Sequence, residues 1–237
     1  FNRIGVDKLG ILMDDMKGDL PDLAARQVEI VNWMATRSNA KQVVFCPTYY
    51  SLDPVLEKLF GKMPEGYFEK LGKELDPKVR MFWTGELVCS KSYTPEHLAA
   101  AAGKLGRKPF LWDNYPVNDG PRMCKFLHLR PFTGRPAEMG ASLAGHAVNP
   151  MNQAALSKIV LLTLKASYEK GPAYNPQKAF RKAAAMVTCH DLAEMLERDL
   201  PAFMDKGLDG LSGEEKESLK TEYSAFVEAR ENDTAAA

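Results

Sequence analysis

Five short apolar runs, each closing on polar or aromatic residues, predict an α/β fold of successive strand–helix units. Residues 9–13 close on Asp14 and Asp15, 42–46 lead to Tyr50, 79–83 to Gly85, 108–112 to Asn114, and 145–148 to Asn149. Those closing residues recur 29 to 35 residues apart, the length of one βα unit around a parallel sheet. A doubly wound sheet would carry a Gly-rich phosphate turn after an early strand, and the sequence has none. A (β/α)8 TIM barrel places its chemistry at C-terminal strand ends, where the unusual residues of this chain fall. The expectation is therefore a partial barrel of five units, with roughly three further strands upstream of Phe1, since a full barrel takes on the order of 250 residues.

Each element has its own signal. The runs are too short for helices and are bounded by turn formers, so they read as buried strands. Between the first two, residues 20–36 carry Leu23, Val28, Ile30, Val31 and Met34 at helical spacing. Residues 95–105 open with Thr94 as N-cap and Pro95 at the first helical position. Residues 152–168 follow the last strand as a helix. Beyond Gly171 the character changes: Pro172 and Pro176 punctuate a linker, and helices are expected over 177–187, 191–200 and 213–230. Ser212, Glu214 and Glu215 form a good helix start, and the tail 234–237 reads as frayed. The predicted organisation is a barrel part over 1–170 and a helical appendage over 171–237, which carries no evident chemistry.

Composition narrows the function classes. The 31 basic and 31 acidic residues cancel, so no net field favours nucleic acid or an anionic membrane. A neutral carbohydrate or peptide fits that balance better than a polyanion. No apolar stretch approaches the ~20 residues of a membrane span. Cys46, Cys89, Cys124 and Cys189 form no C-x-x-C pair and no zinc-type spacing with the four histidines. All four are read as reduced and structural, and His128 and His146 as structural too.

Three sets of residues invite chemistry. Asp14 and Asp15 end a strand, and two adjacent carboxylates disfavour each other's ionisation, separating acid from base as glycoside cleavage requires. Strand neighbours point opposite ways, so both reach one site only if the strand end bends. The competing reading is an acidic turn. Trp112, Asn114 and Asp119 offer an aromatic face with an amide and a carboxylate, which suits a sugar, whereas Asp113, Tyr115 and Asn118 are equally compatible with a loop built on Asx turns. Tyr50 and Asn149 lie at strand ends, and Arg130 and Arg135 flank a segment whose loop they would anchor.

The segments LMDD (12–15), FCPTYY (45–50), FWTG (82–85), WDNYPVND (112–119), LHLRP (127–131) and VNP (148–150) carry a resemblance over roughly residues 1–168. In order and spacing the chain resembles glycoside hydrolase family 84, the O-GlcNAcases and their bacterial β-N-acetylglucosaminidase relatives. The resemblance implies a retaining hydrolase that removes terminal β-linked N-acetylglucosamine by substrate-assisted catalysis through an oxazoline, with neither metal nor organic cofactor. It gives Asp14 the 2-acetamido N–H, and Asp15 the general acid–base role. Tyr50 would contact the acetamido group, Trp112 and Val88 would line its pocket, and Asn114 would bond near it. Asp119 and Asn149 would hold the sugar hydroxyls. The implied partners are an N-acetylglucosaminyl glycoprotein or glycoside, the upstream barrel segment, and a homodimer formed through the helical region as a stalk. Cytoplasmic localisation is expected, without nucleic acid or membrane. The chain departs from the family pattern in lacking the early strands that supply a backbone glycine and a lysine, and in carrying Pro54 where eukaryotic members can have an aromatic. A hyaluronan-type glycosidase and a non-catalytic sugar-binding fragment are the competing functions.

Overall fold

The computed structural model describes residues 1–235. Five strands, β1 (Lys8–Leu12), β2 (Gln42–Cys46), β3 (Val79–Trp83), β4 (Phe110–Asp113) and β5 (Gly145–Val148), form one sheet in chain order. Every pairing is parallel, and the register sets Leu12 beside Cys46, Phe82 beside Phe110, and Asp113 beside Val148. Sequential parallel strands joined by helices are the barrel pattern, here a half-barrel with helices around it.

The outer face of the sheet is covered by helices, whereas the inner face is buried only around β2 and β3. On the outer face Leu9, Ile11, Val43, Phe45, Val79 and Met81 are buried against α1 (Leu23–Arg37), α3 (Tyr67–Glu74) and α4 (Pro95–Leu105). On the inner face Val44, Cys46 and Phe82 pack with Phe110, Trp112 and Ala147. Complete burial of a side chain such as Phe45 is worth about 1.5–3 kcal/mol, and such contacts fix which strand ends lie together.

Most predicted elements are present, with shifted ends. Thr94 caps α4 by accepting from the His97 amide, with Pro95 at its first position. The helix after β5 is α6 (Ala154–Lys170). Besides two four-residue turns, two helices had no forecast: α2 (Pro54–Phe60), capped by Asp53, and α3. After the short turn α5 (Gly120–Met123), the chain passes to β5 and α6, then to α7 (Pro176–Val187) and α8 (His190–Leu200). Phe180, Ala184 and Leu200 share one apolar cluster with Ile159, Val160 and Leu164 of α6. A π-helical turn (Pro201–Lys206) and the short α9 (Gly207–Gly210) lead to α10 (Gly213–Ala235), on which Tyr223 and Phe226 are exposed. The expected frayed tail at 234–237 is helical backbone at 234 and 235, and residues 236 and 237 lie outside the described residues.

The reading of the cysteines needs correction. All four are free thiols, but only Cys46 is buried; Cys89, Cys124 and Cys189 are exposed and so do not serve the core. Among the described residues no helix is long and apolar enough to cross a membrane.

Candidate active site

At the C-terminal strand ends a cavity of about 200 Å3 is lined by all eight residues singled out from the sequence: Asp14, Asp15, Tyr50, Val88, Trp112, Asn114, Asp119 and Asn149. The other lining residues, Cys46, Thr84, Cys89 and Val117, were not foreseen. Cys46 and Thr84 are last or next-after residues of their strands, so counting each strand to its end would have found them.

The carboxylate pair reaches one cavity through a backbone bend. Met13 N–H donates to the Cys46 carbonyl (2.9 Å) and the Thr48 hydroxyl donates to the Met13 carbonyl (2.7 Å), which carries the β1–β2 pairing up to the pair. Asp15 then adopts φ 52°, the left-handed region that a non-glycine residue rarely enters. Aspartate tolerates it better than most residues, and the cost is on the order of 1–3 kcal/mol. This is the bend that two strand neighbours need in order to face the same space.

The side chains of the pair are otherwise little engaged. Tyr50 Oη lies 3.5 Å from Asp15 Oδ1, a long contact. Burial pushes the Asp14 carboxyl above its ordinary range; the Asp14 backbone amide opposes this and the Asp15 charge adds to it. Burial, with the charge of Asp15 next, also drives the Tyr50 phenol far up. The Cys46 thiol is likewise raised by burial and then by Asp14 and Asp15, so it stays protonated and unreactive.

The opposite wall is a hydrogen-bond network centred on Asn114. Its side-chain oxygen accepts from Trp112 Nε1 (3.0 Å) and from Asn149 Nδ2 (3.1 Å), and its amide donates to the Val88 carbonyl (2.9 Å). The Asn149 backbone amide donates to the Asp113 carbonyl (2.9 Å), joining the ends of β4 and β5. Asp53, unnoticed in the sequence, accepts from the Val55 amide as the α2 cap and from the Val88 amide, both at 3.0 Å. It thereby pins the loop carrying Val88. Trp112 packs edge-on against Phe82, with ring centroids 4.9 Å apart.

Beneath this wall Asp113, Tyr115 and Asn118 are structural, but through long-range partners rather than Asx turns. Arg135 makes a paired ionic contact with Asp113 (2.8 and 2.7 Å) and donates to the Ser90, Lys91 and Thr133 carbonyls. Burial acts to raise the Asp113 carboxyl, but the hydrogen bonds and charges of Arg135 and His146 outweigh it and hold the group below its usual range. His146 also meets the Tyr168 hydroxyl (2.9 Å), and His128 Nδ1 lies 2.8 Å from the Val117 carbonyl, so both histidines are structural. Asn118 bridges the Phe126 carbonyl and Gln153, and Tyr115 donates to the Arg130 carbonyl. Arg130 pairs with Asp205 across the loop, as an anchor should.

Fold and site define a class first: a parallel barrel sheet whose strand ends gather two carboxylates, amides and an indole around one cavity. A family model described as beta-N-acetylglucosaminidase matches residues 1–204, and the chain belongs to that family, glycoside hydrolase family 84. Among curated relatives, Protein O-GlcNAcase of Rattus norvegicus and that of Mus musculus are each 27% identical over 177 residues, 71% of this chain. Among solved structures, a Thermobaculum terrenum O-GlcNAc hydrolase mutant aligns with TM-score 0.73 and 32% identity over 89% of this chain. The chain spans 19% of the length of those two curated relatives and 46% of that solved chain.

Proposed function

We propose that this protein is a retaining glycoside hydrolase that removes terminal β-linked N-acetylglucosamine from a glycoprotein or glycoside, by substrate-assisted catalysis. The observation that carries the reading is the bend at Asp15, which turns both carboxylates into a cavity whose other wall is Trp112, Asn114 and Asn149. Family membership and the names of the relatives support it.

The sugar's own acetamido oxygen attacks the anomeric carbon as the glycosidic bond breaks, Asp15 gives its proton to the leaving oxygen, and the oxazoline results in its N-protonated (oxazolinium) form, its N–H held by Asp14. Water then attacks the anomeric carbon, Asp15 takes its proton, the oxazoline opens, and configuration is retained. Such enzymes are exceptions to the rule that carboxylate spacing sets stereochemistry. Asp14 accepts the acetamido N–H. That bond favours the charged form of Asp14 against the burial that raises it. Tyr50 supports the acetamido oxygen, Trp112 and Val88 enclose the acetamido group, and Asp119 and Asn149 accept and donate to the sugar hydroxyls. No step uses a metal or organic cofactor.

The proposal includes a further barrel segment on the edges that β1 and β5 leave unpaired, because open parallel edges are a liability. It treats 171–237 as an appendage able to serve as a dimer stalk.

The test is hydrolysis by the full-length protein containing this segment. Asp15→Ala is expected to lose about 10²–10⁴-fold on substrates with poor leaving groups and much less on activated aryl β-N-acetylglucosaminides. Equal losses on both would remove Asp15 from the acid role. A wild-type protein that binds N-acetylglucosamine yet cleaves no aryl glycoside would return the non-catalytic reading.

A further inference from the structure

A second concavity of about 380 Å3 adjoins the sugar cavity, and the two share Cys89 and Asn114 as a common wall. Tyr115, Met123, Pro131 and Met204 give it apolar surface, with Met204 contributed by the π-helical turn after α8. Its charge is opposite to that of its neighbour. The sugar cavity carries Asp14, Asp15 and Asp119, whereas no residue lining the groove is acidic and Lys91, Arg130 and Arg135 are basic.

Two of those cations are already neutralised, Arg135 by Asp113 and Arg130 by Asp205. Among the described residues Lys91 has no carboxylate partner, and its exposed side chain supplies the uncompensated charge of the groove. Arg135 also holds the Ser90 and Lys91 carbonyls, so the backbone presenting Lys91 is fixed to the end of β4. The groove is thus a positioned surface rather than a gap between loops.

We propose that this groove receives the leaving-group side of the substrate: a peptide chain carrying an acidic residue close to the glycosylated hydroxyl. The inference rests on the sugar-cleaving function proposed above. A chain leaving the sugar cavity over Cys89 enters the groove directly, because that wall is common to both. Methionines accept varied apolar side chains, so Met123 and Met204 give contact without strict sequence demand. The selective element is Lys91. An acidic group is repelled by the three aspartates of the sugar cavity and attracted by Lys91, which favours this direction of binding over its reverse. An aryl aglycone carries no acidic group for Lys91 to attract and should not report on it.

The experiment compares the full-length wild type with Lys91→Glu and Met204→Ala. Three substrates are used: an aryl β-N-acetylglucosaminide and two matched O-glycosylated peptides, one with Asp and one with Lys flanking the sugar. Lys91→Glu is expected to leave kcat/KM for the aryl glycoside within about twofold, to lower it about three- to tenfold for the Asp peptide, and to raise it for the Lys peptide. Met204→Ala is expected to lower both peptides alike and spare the aryl glycoside. If Lys91→Glu shifts both peptides no differently from the aryl glycoside, the groove assignment is overturned while the sugar-site reading stands. If the wild type cleaves none of the three, the sugar-site reading itself fails, and the groove assignment fails with it.

Discussion

The two walls of the cavity are built on different terms. On one side Asn114 binds Trp112, Asn149 and Val88 at once, and Asp53 holds Val88 from behind. On the other, the carboxylates of Asp14 and Asp15 accept, among the described residues, no more than the 3.5 Å contact from Tyr50 and the bond from Asp14's own backbone amide. The first wall has most of its hydrogen-bonding capacity satisfied internally, so its shape is set before any ligand arrives. The second keeps its carboxylate lone pairs available, and a left-handed residue aims them. A site that must recognise and also transfer protons benefits from this division: rigidity belongs to the recognition wall, while a carboxylate already committed to an internal donor would be a poor acid or base.

The comparison breaks most sharply at Arg135, which supports the rigid wall from below. Arg135→Leu would leave the buried Asp113 carboxylate with only the longer contact from His146, at a cost of about 3–5 kcal/mol. Chemical denaturation should show this as a lower midpoint. The sign of the pH effect follows from the depressed Asp113 group. Its contribution is present above the ordinary carboxylate range and is lost as pH falls through the depressed value. Wild-type stability should therefore decline from about pH 4 downward, and Arg135→Leu should lose that part of the decline.

Asn114→Ala attacks the same wall at its centre. It orphans Trp112 Nε1 and the Asn149 amide and removes one of the two bonds holding Val88, so a loss of about 1–3 kcal/mol in transition-state binding is expected. Because binding geometry is lost, kcat/KM should fall for every aglycone alike. A loss confined to poor leaving groups would instead place Asn114 with the acid wall.

The smallest effect sharpens the acid wall. In the proposed mechanism Asp14 must be charged to accept an acetamido N–H, and burial raises its pKa. Activity is then lost as pH falls through that raised value, so the acidic limb of kcat/KM should lie above the ordinary Asp range of about 4. A limb at or below that range would contradict the burial effect on Asp14.

How far the sequence disclosed this division can be judged residue by residue. The strands and the α4 cap were legible because short apolar runs and a Thr-Pro start carry local signals. Helices α2 and α3 were not, since they are 7 and 8 residues long and Gly61, Pro64 and Gly66 interrupt any periodicity. All eight residues chosen for the site line one cavity, with Asn114 and Asn149 directly following their strands. The partners that shape the cavity were hidden: Arg135 lies 22 residues from Asp113, and Asp53 lies 35 from Val88. Such pairings are set by tertiary packing, which no local pattern encodes. Cys46 and Cys89 escaped because a thiol without a metal or redox spacing carries no chemical signal. The bend at Asp15 could be named only as a requirement, since φ is not written in residue identity.

The central claim is that the substrate's acetamido group is the nucleophile and that this cavity holds it. The most direct measurement is kcat/KM of the full-length protein on aryl glycosides whose N-acetyl group is replaced by mono-, di- and trifluoroacetyl. Each fluorine weakens the attacking oxygen, so the account predicts a steep stepwise fall, accompanied by release of the β-anomer first. A rate indifferent to fluorination, or release of the α-anomer first, would contradict it.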